Sequence, residues 1–188
     1  AFGNALRPEG AFGIGLLPED RKLQGLVLRF SVQSNIVMAS LDRMIKFGFL
    51  NSSREKEIAE RQIKNLGIKT PSAQTTVLSL SGGNQQKCVV GRWLEINPRI
   101  LIMDEPTRGI DVGAKAEVHQ IIGELAAEGI GIILISSDLP EVLTMSDRLL
   151  VMREGRQMAI FDRDEATQET VMTAAMGQES GAGNGVAA

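Results

Sequence analysis

Asp104 and Glu105 are adjacent carboxylates at the end of the apolar run Ile100-Leu101-Ile102-Met103. A carboxylate where a buried strand meets solvent can hold Mg2+, usually through water, because Mg2+ gives up its hydration shell reluctantly. The neighbouring Glu105 can orient or deprotonate an attacking water. On these residues alone, a buried strand running into a solvated acidic turn accounts for the pattern equally well. The Pro106-Thr107-Arg108-Gly109-Ile110-Asp111 that follows weighs against that plainer reading.

Ser81-Gly82-Gly83 is the second group. Two glycines let a backbone approach an anion closely. A helix opening there offers free N–H groups and the positive end of its dipole, and the Ser81 hydroxyl adds a donor. Such a surface can face phosphate without a charged clamp; taken alone it is also an ordinary capped helix. No G-x-x-x-x-G-K-[ST] phosphate loop occurs in the 188 residues, so the usual cradle for nucleotide phosphates is missing. Cys88 in the same helix reads as a packed small residue, Trp93 at its end as core, and the lone His119 as part of a solvated helix face.

The elements that must position these groups follow from pattern. Phe12 to Leu17 reads as a short buried strand stopped by Pro18, and Glu19 to Lys22 as a charged loop. Ser31 is the expected N-cap of a helix through about Ser40, and Met44 to Leu50 is apolar and irregular. A second helix starts near Ser53, carries Ile58, Ile63 and Leu66 on one side and ends at Gly67. Ser81 caps a helix through about Leu94; Pro98 separates it from a strand over Arg99 to Met103. Val118, Ile121, Ile122 and Leu125 mark one face of a helix from Gly113 to Ala127, with Gly129 behind it. The unbroken apolar run Ile130 to Ile135 predicts a strand buried on both faces. A short helix over Leu139 to Met145 follows. Arg148 to Met152 then forms a strand that Glu154-Gly155 turns into a hairpin ending near Phe161, and a last helix runs from Asp164 to about Met176. Strand and helix alternate after residue 99, which indicates an α/β fold with a parallel sheet. Residues 31–94 read as an inserted helical subdomain of a domain spanning 1–177, and 178–188 as a disordered Gly/Ala tail.

Composition narrows the classes. A 43% hydrophobic content suits one globular domain with a core, and a net charge of −3 with scattered Lys and Arg argues against nucleic acid. The single cysteine excludes an internal disulfide and suits a reducing compartment. No apolar run reaches the roughly 18 residues of a membrane span, and no secretory signal pattern occurs. The start without methionine and the soft finish lead us to expect the C-terminal piece of a longer polypeptide.

Four stretches together carry a family resemblance. They are Gly13 to Lys22 (GIGLLPEDRK), Leu80 to Lys87 (LSGGNQQK), Leu101 to Lys115 (LIMDEPTRGIDVGAK) and Ile133 to Glu141 (ILISSDLPE). Over roughly residues 10–177 the chain resembles the ATP-binding subunits of ABC transporters, most nearly the second of two tandem cassettes in the sugar-import type for ribose and other simple sugars. The resemblance implies a P-loop NTPase-like cassette that lacks its N-terminal phosphate-loop part. In the family two cassettes face each other head to tail, and each ATP lies between one phosphate loop and the opposing Ser-Gly-Gly signature. On that basis Ser81, Gly82 and Gly83 would touch the γ-phosphate of an ATP held by a partner cassette, expected on the same polypeptide, and Gln85 would be among the nucleotide-binding residues. Asp104 would contact the nucleotide's Mg2+, Glu105 would be the catalytic carboxylate, and Asp111 would lie in the loop joining two sites. Residues 19–50 would meet membrane-spanning permease subunits, served in turn by a sugar-binding protein. The expected place is the cytoplasmic face of the membrane, peripherally attached.

Two positions depart from the family pattern besides the missing loop. The glutamine that senses the γ-phosphate aligns with Glu19, and a carboxylate repels phosphate. The switch histidine aligns with Ser137, which has neither its charge nor its reach. The chain's own site is therefore expected to be degenerate while its signature completes a partner's site, and the chain alone is expected to be inactive. Two other readings stand beside the importer: a truncated, non-hydrolytic module that binds a partner cassette, and a non-transport ABC ATPase. The latter would favour a long coiled-coil insertion or strongly basic linkers, and the sequence has neither. Without the phosphate-loop strand, apolar sheet surface should stand open, leaving the chain alone poorly soluble or partly folded.

Overall fold

The computed structural model describes residues 13–46 and 49–177. The expected tail and the start of the first strand at Phe12 lie outside them. The chain forms two compact units that divide between Ile135 and Ser136.

The first unit is built on a parallel sheet. Strand β1 (Ile14–Leu17) pairs with β4 (Ile100–Asp104), which pairs with β5 (Gly131–Ile135). Leu17 stands opposite Met103 in the register, and Asp104 opposite Ile135. Central β4 has both its edges satisfied, and its Leu101 and Met103 are fully buried. Between β1 and β4 the chain makes α1 (Val32–Val37), which tightens into a 3-10 turn over Met38–Arg43. A two-stranded ribbon, β2 (Ile45–Lys46) with β3 (Phe49–Leu50), occupies the stretch expected to be irregular. Helices α2 (Ser52–Asn65) and α3 (Gly82–Leu94) follow, and α1 packs on both. Helix α4 (Val112–Ala127) buries Val118, Ile121, Ile122 and Leu125, the four positions its periodicity marks.

The two-sided burial expected of β5 is corrected. Ile133 and Ile135 are 49% and 47% exposed while Ile132 and Leu134 are half-buried, so among the described residues one face of β5 is left uncovered; β5 also has one neighbour strand and is a sheet edge. An apolar run cannot by itself distinguish a central strand from an edge.

Polar side chains lock the helices. Asn35 is fully buried, and its amide donates to the Val27 and Ser31 carbonyls at 3.0 Å each and accepts from Val27 N–H at 2.9 Å. Arg92 closes the cluster: its Nε donates to the Asn35 carbonyl (2.8 Å) and its Nη2 to Asn35 Oδ1 (2.9 Å). Burial lowers the Arg92 pKa, and it pushes the enclosed Cys88 thiol up to about 12, as suits a packed residue. Arg61 and Gln62 of α2 both donate to Glu95, which is 7% exposed.

The second unit holds α5 (Leu139–Met145), the antiparallel pair β6 (Arg148–Arg153) and β7 (Arg156–Asp162), and α6 (Gln168–Ala175). Glu154 and Gly155, at φ 49° and 76°, make the tight turn expected there. Leu149, Val151 and Phe161 bury one face of the hairpin against Val171 and Ala174. This strand pair is a separate sheet, so the parallel layer ends at β5. Helix α6 starts four residues later than Asp164 because Thr167 and Thr170 form a reciprocal capping box.

Candidate functional site

In the first unit, three short segments converge on the start of α3. Ser81 has extended backbone (φ −62°, ψ 158°) and stands at the N-cap position. Gly82 and Gly83 open the helix in a space with no room for side chains. A Cβ on Gly82 would lie 2.8 Å from Arg21 Nη2 and 3.2 Å from the Gly109 carbonyl oxygen; one on Gly83 would lie 2.5 Å from Ala114 Cβ. The two glycines thus serve the packing of α3 against the 109–114 segment as well as any approach to an anion.

That segment begins at the carboxylates. Asp104 ends β4 half-buried, and the Glu105 N–H donates to the Ile135 carbonyl at 2.8 Å. Glu105 is left-handed at φ 46°, an uncommon conformation for a residue with a Cβ, and Gly109 follows at φ 68°. Asp111 caps α4 by accepting from the Ala114 N–H at 2.9 Å. The strand end, the turn and the helix start are therefore one continuous, locally hydrogen-bonded unit.

Arg21 is the residue that pattern reading missed. The stretch expected to be a charged loop winds into a π-type turn over Arg21–Gly25, with Asp20 accepting from the N–H groups of Lys22 and Leu23. Arg21 Nη1 and Nη2 then donate to the carbonyls of Arg108 and Gly109 at 2.7 and 3.1 Å, beside Gly82. Partial burial lowers its pKa, with nearby Asp20 opposing the shift. A cation thus stands at the helix start, where the residues alone suggested no charged group. The signal for it was Asp20-Arg21-Lys22, whose charge run reads as solvated until the fold brings residue 21 against residue 109. Glu19, the aligned sensor position, is ion-paired with Arg108.

Two other expected residues lie elsewhere. Gln85 is 3% exposed and donates from Nε2 to the Val77 carbonyl at 3.1 Å. Its side chain is turned into the packed interior; one helical turn past Ser81 it lies on the buried face of α3. Ser137 belongs to the second unit, exposed on the turn ahead of α5.

Behind the helix start, Lys87 is 4% exposed and donates to Glu117 Oε2 at 2.7 Å and to the Gly67 carbonyl at 3.2 Å. Lys69 donates to the other oxygen, Oε1, at 2.8 Å. Hydrogen bonds from these two lysines hold the Glu117 carboxyl down to about 2. Among the described residues no group of three or more His, Cys, Asp or Glu side chains could hold a metal. A lone strand-end carboxylate still suits Mg2+, which takes one or two protein carboxylates and fills its remaining positions with water and phosphate. No helix among the described residues is long and apolar enough to cross a membrane.

Comparison with known proteins places this arrangement. The chain is 53% identical over 165 residues to the ribose import ATP-binding protein RbsA of Geobacillus kaustophilus, covering 88% of this chain and 33% of that protein. It is 54% identical over 165 residues to a putative ribose/galactose/methyl galactoside import ATP-binding protein of Pseudomonas syringae, covering 88% and 31%. The chain thus spans about a third of the length of these relatives. Its fold matches an inward-facing putative metal-chelate type ABC transporter (TM-score 0.73, 19% identity, 87% of this chain and 63% of that one). It also matches a dimeric ATP-binding cassette in a post-hydrolysis state with ADP and Pi (TM-score 0.67, 19% identity, 80% and 62%). These likenesses establish an α/β cassette fold of which this chain is a part. The family model described as ABC transporter matches residues 11–108, more than half of the sequence, and the chain belongs to that family.

Proposed function

We propose that this chain forms one face of an ATP site in a carbohydrate importer. Ser81, Gly82 and Gly83 meet the γ-phosphate of an ATP held by a partner cassette on the same polypeptide. The observation that carries this reading is the start of α3: a helix opening on two glycines, with the Arg21 cation beside it and an exposed serine hydroxyl in front. All three favour an anion. The importer assignment is supported by relatives of about half identity whose names specify ribose import.

Asp104 would contact the nucleotide's Mg2+ through water, and that ion would offset charge on the phosphates. Glu105 would orient the attacking water, with Asp111 tying the two sites together through the loop that Arg21 holds. Glu19, a carboxylate at the sensor position, leaves the chain's own site poorly equipped, so hydrolysis concentrates at the site its signature completes. Residues 31–94 act as the helical subdomain of a partial nucleotide-binding domain over 1–177. Residues 19–50 meet the permease subunits at the cytoplasmic face of the membrane, and a sugar-binding protein delivers the sugar to those subunits.

The test is transport-coupled ATP hydrolysis by the assembled protein. Ser81→Arg fills the anion surface and abolishes it, while Glu105→Gln lowers it less. Equal and complete loss from both refutes the asymmetry, and undiminished hydrolysis with Ser81→Arg refutes the signature role altogether.

A further inference from the structure

Helix α3 differs from the other described α-helices at its N-terminus. In α1, α2, α4, α5 and α6 the N-cap side chain (Ser31, Asn51, Asp111, Asp138, Thr167) accepts a bond from the backbone N–H three residues on. Ser81 makes no such bond. Its Oγ accepts instead from the Asn84 side chain, with Nδ2 at 2.9 Å. The other end of that amide, Oδ1, accepts from the Lys69 N–H at 2.8 Å.

The direction of this chain of bonds is forced. A backbone N–H can only donate, so the oxygen of the Asn84 amide must face Lys69 and its NH2 must face Ser81. The Ser81 oxygen then accepts, so its own proton is not spent on Asn84 and is left to be donated elsewhere from an exposed residue. With the hydroxyl engaged by a side chain, the Asn84 backbone N–H, its ordinary capping partner, receives no bond from it. We propose that Asn84 is a positioning residue. It turns Ser81 from a helix cap into an outward hydrogen-bond donor and keeps the first N–H groups of α3 open for phosphate. Lys69 is the anchor, its side chain held on Glu117 with Lys87. The inference rests on the signature role proposed above.

A double-mutant cycle on ATP hydrolysis by the assembled protein tests it. Ser81→Ala and Asn84→Ala should each lower the rate about tenfold, since each removes one preorganised donor or its orientation. With Ser81→Ala already present, Asn84→Ala should add less than about twofold, because Asn84 acts through that hydroxyl. The same cycle with Asn84→Asp, close to isosteric, replaces it where Asn84→Ala lowers the folded population; there the carboxylate takes the serine proton inward. A loss at position 84 that is equal in both backgrounds, or no loss at all while Ser81→Ala is impaired, overturns the positioning role alone. Full activity of Ser81→Ala together with Ser81→Arg overturns the signature reading beneath it.

Discussion

Gly83→Ala isolates the contact between α3 and α4. The added methyl would stand 2.5 Å from Ala114 Cβ, about 1 Å inside the separation at which two carbons attract best. Forcing a methyl into a packed contact of this kind costs about 1–3 kcal/mol. Ala is better than Gly inside a helix by about 1 kcal/mol, so the single variant loses only about 0–2 kcal/mol. Ala114→Gly costs about 1 kcal/mol by the same helix preference. In the double variant the clash vanishes: the next atom, Ala114 Cα, lies 3.7 Å away, an ordinary contact. The two substitutions are therefore coupled by the whole of the overpacking energy, about 1–3 kcal/mol. Hydrogen exchange read by mass spectrometry on peptides covering residues 82–94 and 112–127 measures that coupling locally, whatever the length of the polypeptide. It should appear as a roughly 5- to 150-fold slower exchange than the two single variants predict together. Independent contributions, with coupling below about 0.5 kcal/mol, would refute the claim that Gly83 is there to let the helices meet.

Other expected outcomes come from the same physics. Glu117 is held at about 2, below its ordinary value of 4.5, so the stability it adds is full above pH 4.5 and is lost as pH falls through 2. The melting-temperature difference between Glu117→Gln and the native chain should then be largest at neutral pH and shrink below pH 4.5; a difference that does not change with pH would refute the assignment. Asn35→Ala removes the acceptor of Arg92 Nη2 and both side-chain partners of the Val27 backbone while keeping the Arg92 Nε bond to the residue 35 carbonyl, costing at least about 2 kcal/mol, seen as faster exchange at residues 27–37; unchanged exchange would mean that water replaces the amide. Ile133→Lys with Ile135→Lys should raise the solubility of the 188-residue chain by charging the uncovered apolar face of β5, and equal aggregation of both forms would place the sticky surface elsewhere.

Local pattern was enough for most elements, because their signals act over a few residues. The 3.6 periodicity of Val118, Ile121, Ile122 and Leu125 is the buried stripe of α4. Glu154-Gly155 needs left-handed backbone and makes the hairpin turn. Ser81 marks the start of α3, and the Asp104–Asp111 stretch is a strand end, turn and cap in the order its residues suggest.

Partnership between distant segments was beyond that reach. Whether Ile130 to Ile135 is central or at an edge depends on which strands lie beside it, and only the sheet order decides it. Gln85, beside the signature in sequence, faces the core because a helix turns 100° per residue. Arg21 is 61 residues from Gly82 in sequence, yet its guanidinium stands against that glycine. Asn84 takes its direction from the backbone N–H of Lys69, a donor that any residue but proline would supply. The sequence by itself determined the family and the residues able to do chemistry, since those depend on side-chain type and short spacing. Only the tertiary structure decided which of them are oriented and by what, because hydrogen-bond direction and steric room are set by groups far apart along the chain.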